Sequence, residues 1–306
     1  MPKFYYLALH RQLFMIYSIY LIIYIFVFLL GLSIGSFLNC VIYRLEQKKS
    51  LKGRSFCPQC NHELSWQDLF PVFSFLSLRG ECRYCHKKIS IQYPSVELFT
   101  GILFVLIFWS LGFSWSLGFG IRDFIKLCFI FYVSCSMIVI FVYDLKHYII
   151  PDKVLFPAII ITFLYRLIGN WKEPYGEFAR WRQMGIGNFA TISNFILAAL
   201  IASGFFLTIF LVSRGRWMGF GDVKLAVLMG LLLGIPNVLV ALFLAFFFGA
   251  IIGIILMVFP FGSAQGREKK SLKSEIPFGP FLITGTFVSM LCGYWIIQWY
   301  LNFFQI

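Results

Sequence analysis

Eight apolar stretches follow one another along this chain, at about 16–42, 96–113, 124–143, 154–168, 192–212, 223–235, 238–259 and 281–304. Only 13% of the residues are charged and 60% are hydrophobic, whereas a soluble domain of this length carries about 25% charge. The pattern predicts an all-α polytopic membrane protein with about eight transmembrane helices. Thirty-eight Phe and eight Trp suit lipid contact and the interfacial belt. The stretches beginning at 154 and 223 fall short of the roughly 20 residues that an upright spanning helix needs. The first stretch is too long for a signal-peptide core and lacks a small-residue cleavage site, so it is expected to stay as an anchor.

The basic residues are unevenly spread. Eighteen of the 26 Lys and Arg fall in the connections 43–95, 144–153, 213–224 and 260–280. Basic connections are retained on the cytosolic side, which puts these segments in the cytosol and both termini outside it. The net charge of +13 then reads as basic loops facing anionic lipid head groups, not as a nucleic-acid surface.

These boundaries divide the chain into a first transmembrane helix at 1–42, a polar segment at 43–95 and a transmembrane region at 96–306. The polar segment is too small to build a generous core alone, and a metal would make good the deficit. It carries Cys57-Pro58-Gln59-Cys60 and Cys82-Arg83-Tyr84-Cys85, with 21 residues between the pairs. Two thiolates in a tight turn reach one ion, and two such turns complete a tetrahedral S4 site. A small zinc-ribbon-like cytosolic domain with a structural Zn2+ on Cys57, Cys60, Cys82 and Cys85 is expected. Disulfides and unligated thiols are the alternatives, and a cytosolic placement disfavours the disulfides. His62 and His86 flank the pairs and read as exposed loop residues. Cys40, Cys128, Cys135 and Cys292 lie in spans and read as small buried hydrophobes. No internal repeat stands out. The polar inserts at 169–188 and 262–277 read as an external and a solvated cytosolic loop.

Asp144 closes one apolar stretch, in Val142-Tyr143-Asp144-Leu145-Lys146, and Asp222 opens another, in Gly219-Phe220-Gly221-Asp222. Singly, Asp222 could be an ordinary helix cap and Asp144 a partner for Lys146. Jointly they fall on one membrane face, where a carboxylate is costly unless a neighbour or a task compensates. Two such groups that meet have the chemistry of an aspartic protease, with one proton between them. Helix polarity predicts the proton on Asp144, at a helix C-terminus, and the charge on Asp222, at an N-terminus. Asp152 is expected to cap the fourth span, and Asp68 and Asp123 to be solvated.

Further segments carry a resemblance. Gly35-Ser36-Phe37-Leu38-Asn39 with Tyr43-Arg44-Leu45 comes first, and Leu64-Ser65-Trp66-Gln67-Asp68-Leu69-Phe70-Pro71-Val72 and Leu78-Arg79-Gly80 frame the cysteines. Tyr93-Pro94, Val96-Glu97-Leu98, Ile150-Pro151-Asp152, Val223-Lys224-Leu225 and Ile276-Pro277-Phe278-Gly279-Pro280-Phe281 follow. With the two aspartate motifs, the chain resembles the bacterial prepilin peptidases, or type IV leader peptidases, which are GxGD-type aspartic proteases. The resemblance implies a bifunctional enzyme of the bacterial inner membrane, with its active site facing the cytosol. Such an enzyme cleaves the basic leader of prepilins or pseudopilins after a glycine, then methylates the new N-terminal residue with S-adenosylmethionine. It implies Asp144 and Asp222 as the catalytic pair and links the four cysteines to methylation. The insert at about 169–188 departs from the family pattern. Two other classes compete with this reading: a proton-coupled transporter and a non-enzymatic assembly scaffold.

Overall fold

A computed structural model describes residues 2–111, 120–168, 192–258 and 277–303, with side chains from residue 18 onward. The 169–188 insert and nearly all of the 262–277 loop lie outside them. The described residues are helical and contain no strand, only two isolated bridges, Phe56 with Glu63 and Glu81 with Lys88. The chain divides into two compact units, Met1–Trp109 and Ser110–Ile306.

The first unit consists of α1 (Pro2–Glu46), a 3-10 turn (Trp66–Leu69), α2 (Phe73–Ser77) and α3 (Gln92–Ser110). The second apolar stretch therefore groups with the first and not with the rest. The reason lies in small residues on facing helices. A Cβ on Gly31 would fall 2.7 Å from the Gly101 Cα, and one on Gly35 would fall 2.7 Å from the Glu97 Cα. Glycines four apart let two helix backbones touch, which in lipid replaces the missing hydrophobic drive. At the end of α1 the buried Arg44 turns its guanidinium onto the backbone carbonyls of Ser50, Leu51, Gly53 and Arg54. Its five-donor fork can serve several acceptors at once, so one side chain fixes how the polar segment leaves the helix.

The second unit contains α4 (Ile121–His147), α5 (Asp152–Ile168), α6 (Ile192–Ser213), α7 (Phe220–Leu233), α8 (Asn237–Val258) and α9 (Gly279–Phe303). Among the described residues, six helices are long and apolar enough to cross a membrane: α1, α3, α4, α6, α8 and α9. The protein is thus a multi-pass membrane protein, with six such helices where the sequence suggests eight. The two short stretches become α5, of 17 residues, and α7, of 14. α7 is the hub: α5, α6, α8 and α9 all pack on it, and ten of its 14 residues are buried. Such encirclement explains why it shows no polar face in the sequence.

Close approach again depends on missing side chains. A Cβ on Gly230 of α7 would strike the Ala199 backbone of α6, and one on Gly285 of α9 would strike the Ala241 carbonyl of α8. Gly204, in α6, has open space at the same point. Gly230→Ala should therefore destabilise the protein by about 1–3 kcal/mol through overpacking, while Gly204→Ala should be neutral or slightly stabilising. Thermal unfolding midpoints in detergent distinguish the two.

Candidate active site and cysteine knuckles

Asp144 stands in the last turn of α4 and Asp222 in the first turn of α7, and both are buried, at 4% and 7% exposure. α4 ends at Tyr148, which adopts a left-handed conformation (φ 58°) and donates its N–H to the Asp144 carbonyl at 2.9 Å. The chain folds back through buried Ile150 before α5 begins. A Cβ on Gly221 would lie 3.2 Å from the Ile150 Cβ, and one on Gly279 would lie 3.5 Å from its Cδ1. Ile150 thus wedges against both glycines beside the acids.

Gly219 is the N-cap of α7, so Asp222 is its third residue, and its carboxylate accepts the Gly219 N–H. It lies in the first turn and is not the cap itself. The Asp144 carboxylate accepts the backbone N–H of Gly279, the first residue of α9. A Cβ on Gly279 would collide with the Asp144 Oδ2. Phe278 sets this contact, packed 5.9 Å from the Phe206 ring and 5.1 Å from the Phe246 ring. The two carboxylates lie within electrostatic range of each other.

Asp144 meets the N-terminus of α9 as well as the C-terminus of its own helix, so helix polarity no longer separates the two acids. Asp152 heads α5 and pairs with Lys224, Nζ to Oδ1 2.8 Å, which ties the α5 head to α7 two residues after Asp222. Asp123 accepts the Gly120 N–H at the start of α4.

In the first unit, the sulfurs of Cys57, Cys60, Cys82 and Cys85 lie within 4.8 Å of one another. The Cys57 and Cys85 sulfurs are 4.0 Å apart. Zinc–thiolate bonds of 2.3 Å at tetrahedral angles put sulfurs about 3.8 Å apart, so the cluster fits the ion. None of the four is joined in a disulfide, which disfavours the disulfide alternative.

The two knuckles are the same structure twice, a repeat invisible in the sequence beyond the C-x2-C spacing. Cys57 N–H donates to the His62 carbonyl and Cys82 N–H to the Lys87 carbonyl, both at 2.9 Å. Asn61 (φ 56°) and His86 (φ 55°) turn left-handed at matching positions. His62 stacks on Tyr84 at 3.7 Å and takes no place in the cluster. Burial opposes ionisation of Cys57, but the N–H groups of Cys60 and Gln59 and the neighbouring thiols outweigh it and bring the thiol down to about 7.

Asp68 is not solvated as its loop position suggested; its side chain is 5% exposed. It accepts the Ser65 N–H and hydroxyl at 3.1 and 2.8 Å and the Tyr84 hydroxyl at 3.2 Å, and pairs with Arg83 Nε at 2.8 Å. Burial alone would raise its pKa, yet Ser65, Tyr84 and Arg83 together hold it below the usual carboxylate range. The Ser-x-x-Asp spacing of a capping box was the available signal. Where the spans meet this domain, Glu97 is buried in α3. It accepts the Val72 N–H at 2.7 Å and the Ser36 hydroxyl.

Two family models match the chain. The bacterial peptidase A24 N-terminal domain covers residues 29–111, and the type IV leader peptidase family covers residues 130–254. Among curated relatives, a prepilin leader peptidase/N-methyltransferase of Xanthomonas campestris is 30% identical, covering 90% of this chain and 93% of that protein. Proteins of the same description from Legionella pneumophila (31%, covering 92% and 96%) and Pseudomonas aeruginosa (28%, covering 99% of each) also match. No solved structure matches the chain.

Purified under reducing conditions, the protein should carry one zinc per chain, and Cys82→Ser should lose it. Because protons compete for Cys57 below about pH 7, affinity should weaken on acidification; chelator competition on either side of neutrality measures this. Asp68→Ala should loosen the second knuckle by about 2 kcal/mol, the scale of a broken buried hydrogen-bonded pair, seen as faster metal release.

Proposed function

We infer that this chain, which belongs to the type IV leader peptidase family, is a membrane aspartic endopeptidase that also methylates its product. It removes the basic leader of prepilins or pseudopilins after a glycine, then N-methylates the residue so exposed. One observation carries the reading: two acids 78 positions apart, Asp144 and Asp222, are both buried and in mutual range beneath glycine-lined helix ends. The relatives' shared description supports it, and neither a transporter nor a scaffold explains that pair.

In this reading the two carboxylates share one proton, because like charges held together away from water do not both ionise. The ionised partner takes a proton from a water whose oxygen attacks the scissile carbonyl. The protonated partner polarises that carbonyl and later gives its proton to the leaving amine as the C–N bond breaks. The pair acts as a unit and its proton belongs to both. The Gly279 and Gly219 N–H groups orient the carboxylates, and the Lys224–Asp152 bridge holds the α5 and α7 heads in register.

A prepilin presents an apolar helix with its scissile bond at the bilayer border, so an acid pair at that depth need not extract it. The excess of basic residues in the same connections supports a cytosolic active site in the inner membrane. We assign 43–95 to methylation and the spans from 96 onward to proteolysis, with α3 structurally part of the first unit. Zn2+ on the four cysteines holds the knuckles together. S-adenosylmethionine supplies the methyl group when bound, and the amine freed by cleavage receives it.

Asp144→Asn and Asp222→Asn should each lower cleavage of a synthetic prepilin on the order of 10³-fold or more. Methylation of a pre-cleaved peptide should persist in both. Gly279→Ala, which pushes on Asp144, should lose cleavage while keeping its zinc. Product masses with and without methyl donor give both readouts, and full cleavage by either Asn variant would sink the assignment.

A further inference from the structure

The helix seam of the first unit holds two acceptors that cleavage does not use. Gly31 meets Gly101, Gly35 meets Glu97, and Asn39 Nδ2 donates to the Tyr93 carbonyl at 2.9 Å. α1 and α3 therefore run antiparallel, and Asn39 sits one turn nearer the cysteine knuckles than Glu97 does. Tyr93 in turn lies in electrostatic range of Cys57.

Glu97 is 8% exposed and lies within a span. Its two donors, the Val72 N–H and the Ser36 hydroxyl, are neutral, and among the described residues no cation pairs with it. Asn39 is 3% exposed, and its Oδ1 has no hydrogen-bond partner. A carboxylate inside a membrane without a cation, and a buried acceptor without a donor, are each unfavourable. They are complementary to the same thing: a small group with a positive charge and several N–H donors. A primary ammonium has three. A guanidinium brings five donors where only these two acceptors are gathered, and a hard divalent cation needs more oxygens than that.

We propose that the α1–α3 seam binds a primary α-ammonium group, held by the Glu97 carboxylate and the Asn39 Oδ1. The group that closes the seam is Val72. A β-branched residue at φ 60° is strained, and its N–H bond to Glu97 is what an entering ammonium replaces. The displaced strap then relaxes. This site rests on the methyl-transfer reading, in which two α-amino groups meet: that of the freshly cut peptide and that of the methyl donor.

The test uses the full chain in nanodiscs. Glu97→Gln keeps an acceptor for the Val72 N–H but removes the charge, and Asn39→Ala removes the unpaired oxygen. Zinc content and prepilin cleavage should stay at wild-type levels in both. Methyl transfer to a pre-cleaved peptide should fall about ten-fold or more, the scale of a lost charge-assisted bond. Equilibrium binding separates the sources. Weakened S-adenosylmethionine binding assigns the ammonium to the donor; unchanged donor binding with weakened peptide binding assigns it to the substrate. Unaltered binding of both, or joint loss of zinc and cleavage in Glu97→Gln, overturns the proposal and leaves Glu97 a structural anchor. A wild-type chain that transfers no methyl refutes the function reading instead, and peptide binding to the Glu97→Gln variant still decides the site.

Discussion

A carboxylate at a bilayer border persists only where N–H donors reach it, and in this protein glycine backbones bring two of them there. Asp144 takes the N–H of Gly279 and Asp222 that of Gly219. At Gly279 this depends on a backbone coming closer than any side chain would allow. The same economy recurs at Glu97, which sits against Gly35 and takes the N–H of Val72. Helix ends, not side-chain cations, thus do most of the solvation that water would otherwise provide.

The two units solve the problem of ordering a border in different ways. In the second, a short hub helix is clasped by longer ones through Gly230 and Gly285. In the polar segment of the first, order comes from Arg44 on four carbonyls, Asp68 on the second knuckle and the paired thiol turns. Small polar domains commonly lean on such staples.

Much of this was legible in the residues. Apolar runs gave the spans, including the two too short to cross upright, because hydropathy is a local property. The C-x2-C pairs gave the thiol cluster, because their ligand geometry is also local. Gly279 carried no such signal. Its role appears only when α9 lands on α4, 135 positions from Asp144, and long-range contact leaves no mark in local pattern. Asp68 looked like a loop charge because its partners include Arg83 and Tyr84, 15 and 16 positions on. Polarity read the acid pair incompletely for the same reason: it counted each aspartate's own helix and not the one packed against it.

One dimension of the bundle reaches beyond the chain. At 1.5 Å per residue, the 14 residues of α7 measure about 21 Å and the 17 of α5 about 25 Å, in a hydrocarbon slab about 30 Å thick. α5 also turns Ile160, Ile161 and Leu164 outward. Around that flank the leaflet must thin or the helix end must stand in a recess. Hydrophobic mismatch therefore makes acyl-chain length a hidden variable, one that sets how readily water reaches the sunken acids.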